Sequence, residues 1–141
     1  SDVNGASQGH NLVAFCDVMT EASTRKGGYI EAAKQWPKAR RYQDWRKLLD
    51  ESRDIDAITI STPDHTHYPA TMAAMKLGKH VYTQKPLTHK LAEARELAEF
   101  AAEKKLTTQM GIQNQSRAPY RFTRHHIKKG IIGKIKKVIR I

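Results

Sequence analysis

Three features are scarce in this 141-residue sequence: cysteine, long apolar runs and, near its end, acidic side chains. The single cysteine, Cys16, excludes an internal disulfide framework, and its place in an apolar segment favours a buried, inert thiol. No apolar run approaches the roughly 20 residues that a transmembrane helix needs, and the residues after Ser1 lack the pattern of a signal peptide. Because the chain opens without Met and inside a structural pattern, we expect it to be part of a longer protein.

The positive charge is concentrated at the end of the sequence. The formal net charge is +11, and residues 117–141 contain nine of the 25 Lys and Arg residues but no Asp or Glu. A positive surface favours an anionic partner such as a phosphate-bearing cofactor, an acidic sugar, a nucleic acid or a membrane surface. Since the excess belongs to this basic tail, it says little about the rest of the chain.

Apolar strand patterns alternate with helical patterns along most of the sequence. The predicted strands are residues 12–16, 40–42 at an edge, 55–61, 80–83 and 106–110. The predicted helices are residues 20–35, 45–51 with Asp44 as N-cap, 66–77, and a long helix from Thr88 with an apolar stripe that starts at Leu91. This alternation predicts right-handed βαβ units and a parallel sheet, the α/β class.

The basic tail follows a different pattern. Residues 3–9 and 117–129 read as helical, 130–133 as a turn, and 134–141 alternate as a strand of a separate, antiparallel sheet. A cationic amphipathic helix for a membrane surface is the alternative. Gly130, Gly133 and the β-branched residues around them favour turn and strand.

The stretch around Lys85 is the centre of the functional prediction. Lys85 follows a short apolar strand and is held by Pro86, and ligands of parallel sheets bind beyond the carboxyl ends of the strands. The alternative is that Lys85 is one solvated lysine among many.

Two further strand ends have polar residues that suit a nucleotide. An acid in the position of Asp17 can accept hydrogen bonds from ribose hydroxyls, although an Asp after a strand is often a helix cap. The loop 61–67 offers hydroxyls and a helix start that suit a phosphate or ribose. His65 and His67 could ligate a metal, but they have no third ligand nearby, and His125 and His126 point to different faces of a helix, so we predict no metal.

Four motifs resemble the glucose–fructose oxidoreductase/inositol dehydrogenase (Gfo/Idh/MocA) family, in that family's order and spacing. They are Ser61-Thr62-Pro63-Asp64-His65-Thr66-His67 with residues 73–82, Gln84-Lys85-Pro86-Leu87, Met110-Gly111-Ile112-Gln113-Asn114-Gln115, and residues 129–135. The resemblance implies a Rossmann domain over residues 1–115 that binds NAD, with NADP less favoured. It also implies that residues 116–141 are the linking helix and first strand of an α+β substrate domain.

The same resemblance implies a role for each candidate residue. Lys85 would hydrogen-bond the reacting hydroxyl beside the nicotinamide while hydride passes between the nicotinamide and a sugar or cyclitol carbon. Asp17 would hold the adenosine ribose, and we expect a cis bond before Pro86. The remaining cofactor-lining residues would be Ser61, Thr62, Pro63, His67, Gln84, Gln113 and Asn114.

Three departures from the family qualify this expectation. Gln84 stands where the family has Glu, and an amide cannot take up a proton. The first strand and its glycine-rich turn are missing, which predicts a gap in a sheet of order 3-2-1-4-5-6. The family's histidine general base is also missing, so we expect the 141 residues alone to be inactive.

Several interpretations of function stay open. Within the family they include a glycoside-cleaving enzyme that oxidises its substrate transiently, and outside catalysis a binding module on the same fold. A nucleic-acid binder that uses the basic tail is the least favoured, and we expect neither a nucleic-acid nor a membrane partner. We expect a sugar-like substrate and a homo-oligomer formed through a further domain, in either the cytoplasm or the periplasm.

Overall fold

The computed structural model describes residues 9–19 and 29–137. Strands and helices alternate along this part of the chain, as the sequence predicts. The strands are β1 (Ala14–Cys16), β2 (Arg40–Tyr42), β3 (Ala57–Ile60), β4 (His80–Gln84) and β5 (Thr108–Gly111). The α-helices are α1 (Tyr29–Gln35), α2 (Trp45–Glu51), α3 (His67–Lys76), α4 (Leu91–Glu103) and α5 (Ala118–Lys128), with 3₁₀ turns at Asp64–Thr66 and Gln113–Ser116.

Every strand pairing in the described residues is parallel, which confirms the α/β class. β1 pairs with β2, and β3, β4 and β5 form a second sheet in that order. The break between β1 and β3 falls where a 3-2-1-4-5-6 sheet has its first strand. The gap that the sequence predicts is therefore seen as two separate sheets.

The core forms where α3 and α4 cover the three-stranded sheet. Ala74 and Met75 of α3 are each 1% exposed, and they belong to one cluster with Ile60, Val81 and Leu97. Side chains near β1 and β2, among them Val13, Ala14, Cys16 and Tyr42, pack against the same cluster. A smaller cluster contains Phe15, Ala32, Ala33 and Ala39.

Helix α2 begins as predicted, whereas α4 does not. The Asp44 carboxylate accepts a hydrogen bond of 2.9 Å from the Arg46 N–H, which is the N-cap contact that the sequence suggests. Helix α4 starts at Leu91 rather than Thr88, because the Thr88 hydroxyl donates to the Lys90 carbonyl in a turn that precedes the helix. Leu91 is 69% exposed, so the predicted apolar stripe is wrong at that end, and Leu97 and Ala101 form its buried part.

The end of the chain differs from the predicted strand. Residues 134–137 have no strand, and no partner strand lies beside them among the described residues; residues 138–141 lie outside the described part. The predicted helical segment 3–9, except Gly9, and the first part of helix 20–35 also lie outside it. The chain divides into two compact units, Ser1–Gly111 and Ile112–Ile141.

Helices of the described residues are all too short or too polar to cross a membrane.

Candidate functional site

The polar motifs of the first unit meet at the carboxyl edge of the three-stranded sheet. Ile60 lies opposite Thr83, and Gln84 lies opposite Gly111. Ser61, Lys85 and the end of β5 are therefore at one edge, as expected for parallel strands. Open α/β sheets bind ligands beyond these carboxyl ends of the strands.

The loop after β3 is stabilised by its own hydroxyl groups. Thr66 Oγ1 lies 2.7 Å from both Thr62 Oγ1 and the Pro63 carbonyl oxygen. The Thr66 N–H donates to the same carbonyl, which closes the 3₁₀ turn that leads into α3. Ser61 and Pro63 are exposed at the edge, and Thr62 is half-buried.

His67 lies beneath this loop and not on its surface. Its side chain is fully buried, with the residue 1% exposed. Nδ1 lies 2.6 Å from the Pro86 carbonyl oxygen, and Nε2 lies 2.8 Å from the Thr62 carbonyl oxygen. Both ring nitrogens therefore face backbone carbonyl groups. The sequence analysis gives His67 a place in the cofactor lining, but in this chain its ring is not exposed to a ligand. Within the described residues no three His, Cys, Asp or Glu side chains form a group that could hold a metal ion.

Lys85 is exposed at the end of β4, between two neighbours that shape its backbone. The Gln84 Oε1 atom accepts a hydrogen bond of 3.0 Å from the Lys85 N–H. The Lys85–Pro86 peptide bond is cis, as the family resemblance implies. Gln84 therefore binds the backbone of Lys85 through a hydrogen bond. It cannot serve as a proton acceptor, because an amide does not take up a proton.

Gly111 makes the position of the Gln84 side chain possible. A Cβ atom at Gly111 would lie 2.6 Å from Gln84 Oε1 and 2.9 Å from Tyr82 Oη. In the sequence, Gly111 directly follows the predicted strand 106–110, but no pattern shows which side chains it contacts. A glycine directly after an apolar strand is the signal that a close approach occurs there.

A pair of buried hydroxyls, which the sequence does not predict, joins α3 to β4. Thr71 Oγ1 and Thr83 Oγ1 lie 2.7 Å apart, and the two residues are 3% and 1% exposed. Threonine in an apolar strand pattern reads as a β-former, so the sequence alone gives no sign of this hydrogen bond.

Asp17 follows β1, where its half-buried carboxylate accepts a hydrogen bond of 3.0 Å from the Met19 N–H. Its neighbour Cys16 is half-buried, and burial raises the pKa of the Cys16 thiol to about 11, with the negative charges of Asp44 and Asp17 adding to the effect. Two carboxylates thus act on the end of β1. The thiol stays protonated at neutral pH, in keeping with the inert role expected for it.

Gln113 and Asn114 belong to the second unit, Ile112–Ile141, where they start an exposed 3₁₀ turn. The Asn114 carbonyl accepts a hydrogen bond of 3.2 Å from the Arg117 N–H at the start of α5. Their predicted place near a nicotinamide stays a prediction.

Comparison with known proteins agrees with the α/β fold. The sequence model of the GFO_IDH_MocA family, described as an oxidoreductase family with an NAD-binding Rossmann fold, matches residues 1–112. A levoglucosan dehydrogenase of Pseudarthrobacter phenanthrenivorans is 28% identical over 105 residues, which are 74% of this chain and 27% of that protein. The scyllo-inositol 2-dehydrogenase (NAD(+)) of Bacillus subtilis is 33% identical over 84 residues, 60% of this chain and 25% of that protein.

The fold is also shared with a solved structure. The scyllo-inositol dehydrogenase from Lactobacillus casei with bound cofactor NAD(H) and scyllo-inositol superposes with a TM-score of 0.73 at 24% identity, over 94% of this chain and 38% of that one. The chain spans about a quarter of the length of the two relatives above. The match over residues 1–112 covers most of the chain, which therefore belongs to the Gfo/Idh/MocA oxidoreductase family with its NAD-binding Rossmann fold.

Proposed function

We propose that this chain is the nucleotide-binding part of a longer enzyme that transfers a hydride between NAD and a hydroxyl-bearing carbon of a sugar or cyclitol. The observation that supports this proposal most directly is the exposed Lys85 at the carboxyl edge of the parallel sheet. The Gln84 side chain accepts a hydrogen bond from the Lys85 N–H. His67 connects Pro86, which follows Lys85, to the loop after β3. A lysine placed in this way can act on a ligand that lies along the edge.

The residues present fit the two ends of a dinucleotide. Asp17 offers a carboxylate at the end of β1 for ribose hydroxyls, and the exposed Ser61 and Pro63 offer a surface at the end of β3. The glycine-rich turn that would hold the pyrophosphate is not in this sequence. Gln113 and Asn114, which belong to the second unit, stay predicted cofactor-lining residues.

The charge near β1 supports NAD over NADP. The half-buried carboxylate of Asp17 follows β1, whereas the charge of Asp44 is offset by Arg46, whose Nη1 lies 3.4 Å away. A 2′-phosphate would add a further negative charge there, which is repelled at short range. We therefore propose NAD as the cofactor.

Lys85 is the proposed catalytic residue. When bound, NAD supplies the acceptor for the hydride, and the chain supplies the groups around the reacting hydroxyl. The Lys85 ammonium would donate a hydrogen bond to that hydroxyl oxygen and stabilise the negative charge that develops on it. Gln84 would orient Lys85 through its backbone, and a proton acceptor would have to come from elsewhere in the longer protein.

The test replaces Lys85 with Met in the full-length protein, using Lys76→Met as the control. Lys76 is an exposed lysine in the last turn of α3, on the side of the amino ends of the strands, away from Lys85. The rate of NADH formation with a panel of sugars and cyclitols should fall by about 100-fold or more for Lys85→Met. The NAD dissociation constant should change little, and Lys76→Met should behave like the wild type.

Other outcomes would point elsewhere. An unchanged rate in Lys85→Met would remove the proposed role of Lys85, and no turnover together with no NAD binding in the wild type would favour a non-catalytic module. Cleavage of a glycosidic bond without NADH accumulation would indicate transient oxidation at the same site.

A further inference from the structure

His67 is the first residue of α3, and its buried ring bridges two strand ends that are distant in sequence. One partner is the carbonyl of Thr62, in the loop after β3, and the other is the carbonyl of Pro86, directly after Lys85. The ring and Pro86 are 19 residues apart in the chain. The imidazole therefore connects the proposed ribose-lining loop with the proposed catalytic segment.

Both partners of the ring are backbone carbonyl oxygens, which can only accept hydrogen bonds. A neutral imidazole has one N–H and can satisfy one of them. Its second nitrogen would then point a lone pair at a carbonyl oxygen less than 3 Å away. An imidazolium has an N–H on each nitrogen and satisfies both oxygens, and hydrogen bonds from a charged donor are the stronger ones.

A second polar contact lies one helical turn further along α3. Thr71 is four residues after His67, so the two side chains share a face of the helix. The Thr71 hydroxyl meets the hydroxyl of Thr83, two residues before Lys85, while His67 meets the carbonyl one residue after it. The backbone of Lys85 is thus attached to α3 on both sides.

The polar side chains at these buried positions make directional hydrogen bonds, which fix the position of the groups that they contact. An apolar side chain of similar size would fill the space, but it could not select one position of the carbonyl groups. A misplacement of about 1 Å in a catalytic group can cost about 100-fold in rate. Accurate placement of Lys85 is therefore a physical reason for His67 to be where it is.

We propose that His67 is a positioning residue for Lys85, and that it donates hydrogen bonds from both ring nitrogens to hold the β3 loop against the segment after Lys85. This inference rests on the proposed role of Lys85. It assigns to His67 no contact with cofactor or substrate.

Three substitutions separate the two halves of this contact. His67→Asn places an amide near the position of Nδ1 and keeps a donor for Pro86. His67→Gln places its amide near the position of Nε2 and keeps a donor for Thr62. His67→Leu keeps the apolar bulk and removes both donors, and His65→Asn, at an exposed histidine of the same loop, is the control.

Kinetics of the full-length protein test the positioning role. We expect His67→Leu to lower kcat by about 100-fold, with a smaller change in the NAD dissociation constant. His67→Asn should retain more of the rate than His67→Gln, because it keeps the contact nearest Lys85. An equal rate for His67→Leu and the wild type, once circular dichroism shows that the variant is folded, would overturn the proposal.

Nitrogen-15 NMR of histidine-labelled protein tests the hydrogen bonds without cofactor or substrate. The ring signals that disappear in His67→Leu should show two protonated nitrogens in the wild type. A ring with one unprotonated nitrogen would overturn the two-sided contact even in an active enzyme. If the NMR result is as expected but Lys85→Met keeps full activity, the proposed function fails while the contact itself stands.

Discussion

Gln84 and Gly111 show how a single missing side chain shapes the site. The Gln84 Oε1 atom lies only 2.6 Å from where a β-carbon at position 111 would be, and there it accepts a hydrogen bond from the Lys85 N–H. The backbone φ of Gly111 is outside the left-handed region, so an alanine there would clash with the neighbouring side chains and not with the backbone itself. Glycine at the end of β5 therefore allows the contact that orients Lys85.

Replacing Gly111 with Ala should displace the Gln84 side chain. Because the atoms in the way are the ends of flexible side chains, we expect the free energy of unfolding to change by only about 1 kcal/mol. The rate of NADH formation should fall more clearly, because Lys85 loses its hydrogen bond to Gln84. Urea unfolding and steady-state kinetics measure the two effects.

A double-substitution cycle with Gln84→Ala is the control for this prediction. In a chain that already has the Gln84→Ala substitution, the change Gly111→Ala should cost little further rate, because the displaced group is gone. An equal loss of rate with and without the Gln84 side chain would show that Gly111 acts in another way.

The starts of α2 and α4 show which features of a helix depend on neighbouring residues and which depend on tertiary contacts. Asp44 caps α2 through the Arg46 N–H, two residues away, and this contact was predicted because it needs only neighbours in the chain. The predicted start of α4 is three residues too early. A threonine such as Thr88 is a common helix cap, but here its hydroxyl donates to the Lys90 carbonyl in a turn before the helix. The exposure of Leu91 likewise depends on where the helix lies on the core.

The Asp44 cap should have a pH-dependent effect on stability. The hydrogen bond from the Arg46 N–H lowers the pKa of Asp44 in the folded state below its usual value, so the carboxylate stabilises the fold above the unfolded-state pKa of about 4. This contribution is lost as the pH falls through the lower, folded-state pKa. Asp44→Ala should therefore lower the thermal unfolding midpoint at pH 7, with a smaller difference from the wild type in acid.

Asp44→Asn is the matched control, since its amide oxygen can still cap the helix but has no charge to titrate. Its midpoint difference from Asp44→Ala should be the same at both pH values. A loss for Asp44→Ala that is equally large at pH 7 and in acid would contradict a charged cap.

At the scale of the whole molecule, the two sheets differ in how their strands are supported. β4 pairs on both sides, with β3 and with β5, and α3 covers it. β1 and β2 have three residues each and pair only with each other in the described part of the chain. Within the described part of the chain, the three-stranded sheet therefore supports its central strand, which Lys85 follows, better than the two-stranded sheet supports β1 and β2.

Hydrogen exchange should reflect this difference. In the 141-residue chain, the amides of Val81, Tyr82 and Thr83 in β4 should exchange more slowly than those of β1 and β2, by roughly tenfold or more, because opening β4 breaks its pairing with both neighbouring strands. Amide exchange followed by NMR measures this directly. Equal protection in the two sheets would indicate that they open as one unit.

The sequence by itself determined the alternation of strands and helices, the cap of α2, and the position of Asp17, Ser61, Thr62 and Lys85 at strand ends. These features depend on side-chain periodicity and on contacts between residues a few positions apart. Only the tertiary structure decided that His67 faces inward and that Gly111 makes room for Gln84. Each of these depends on residues about 20 or more positions apart, as with His67 and Pro86 or Gln84 and Gly111, and no local pattern encodes which of them will meet.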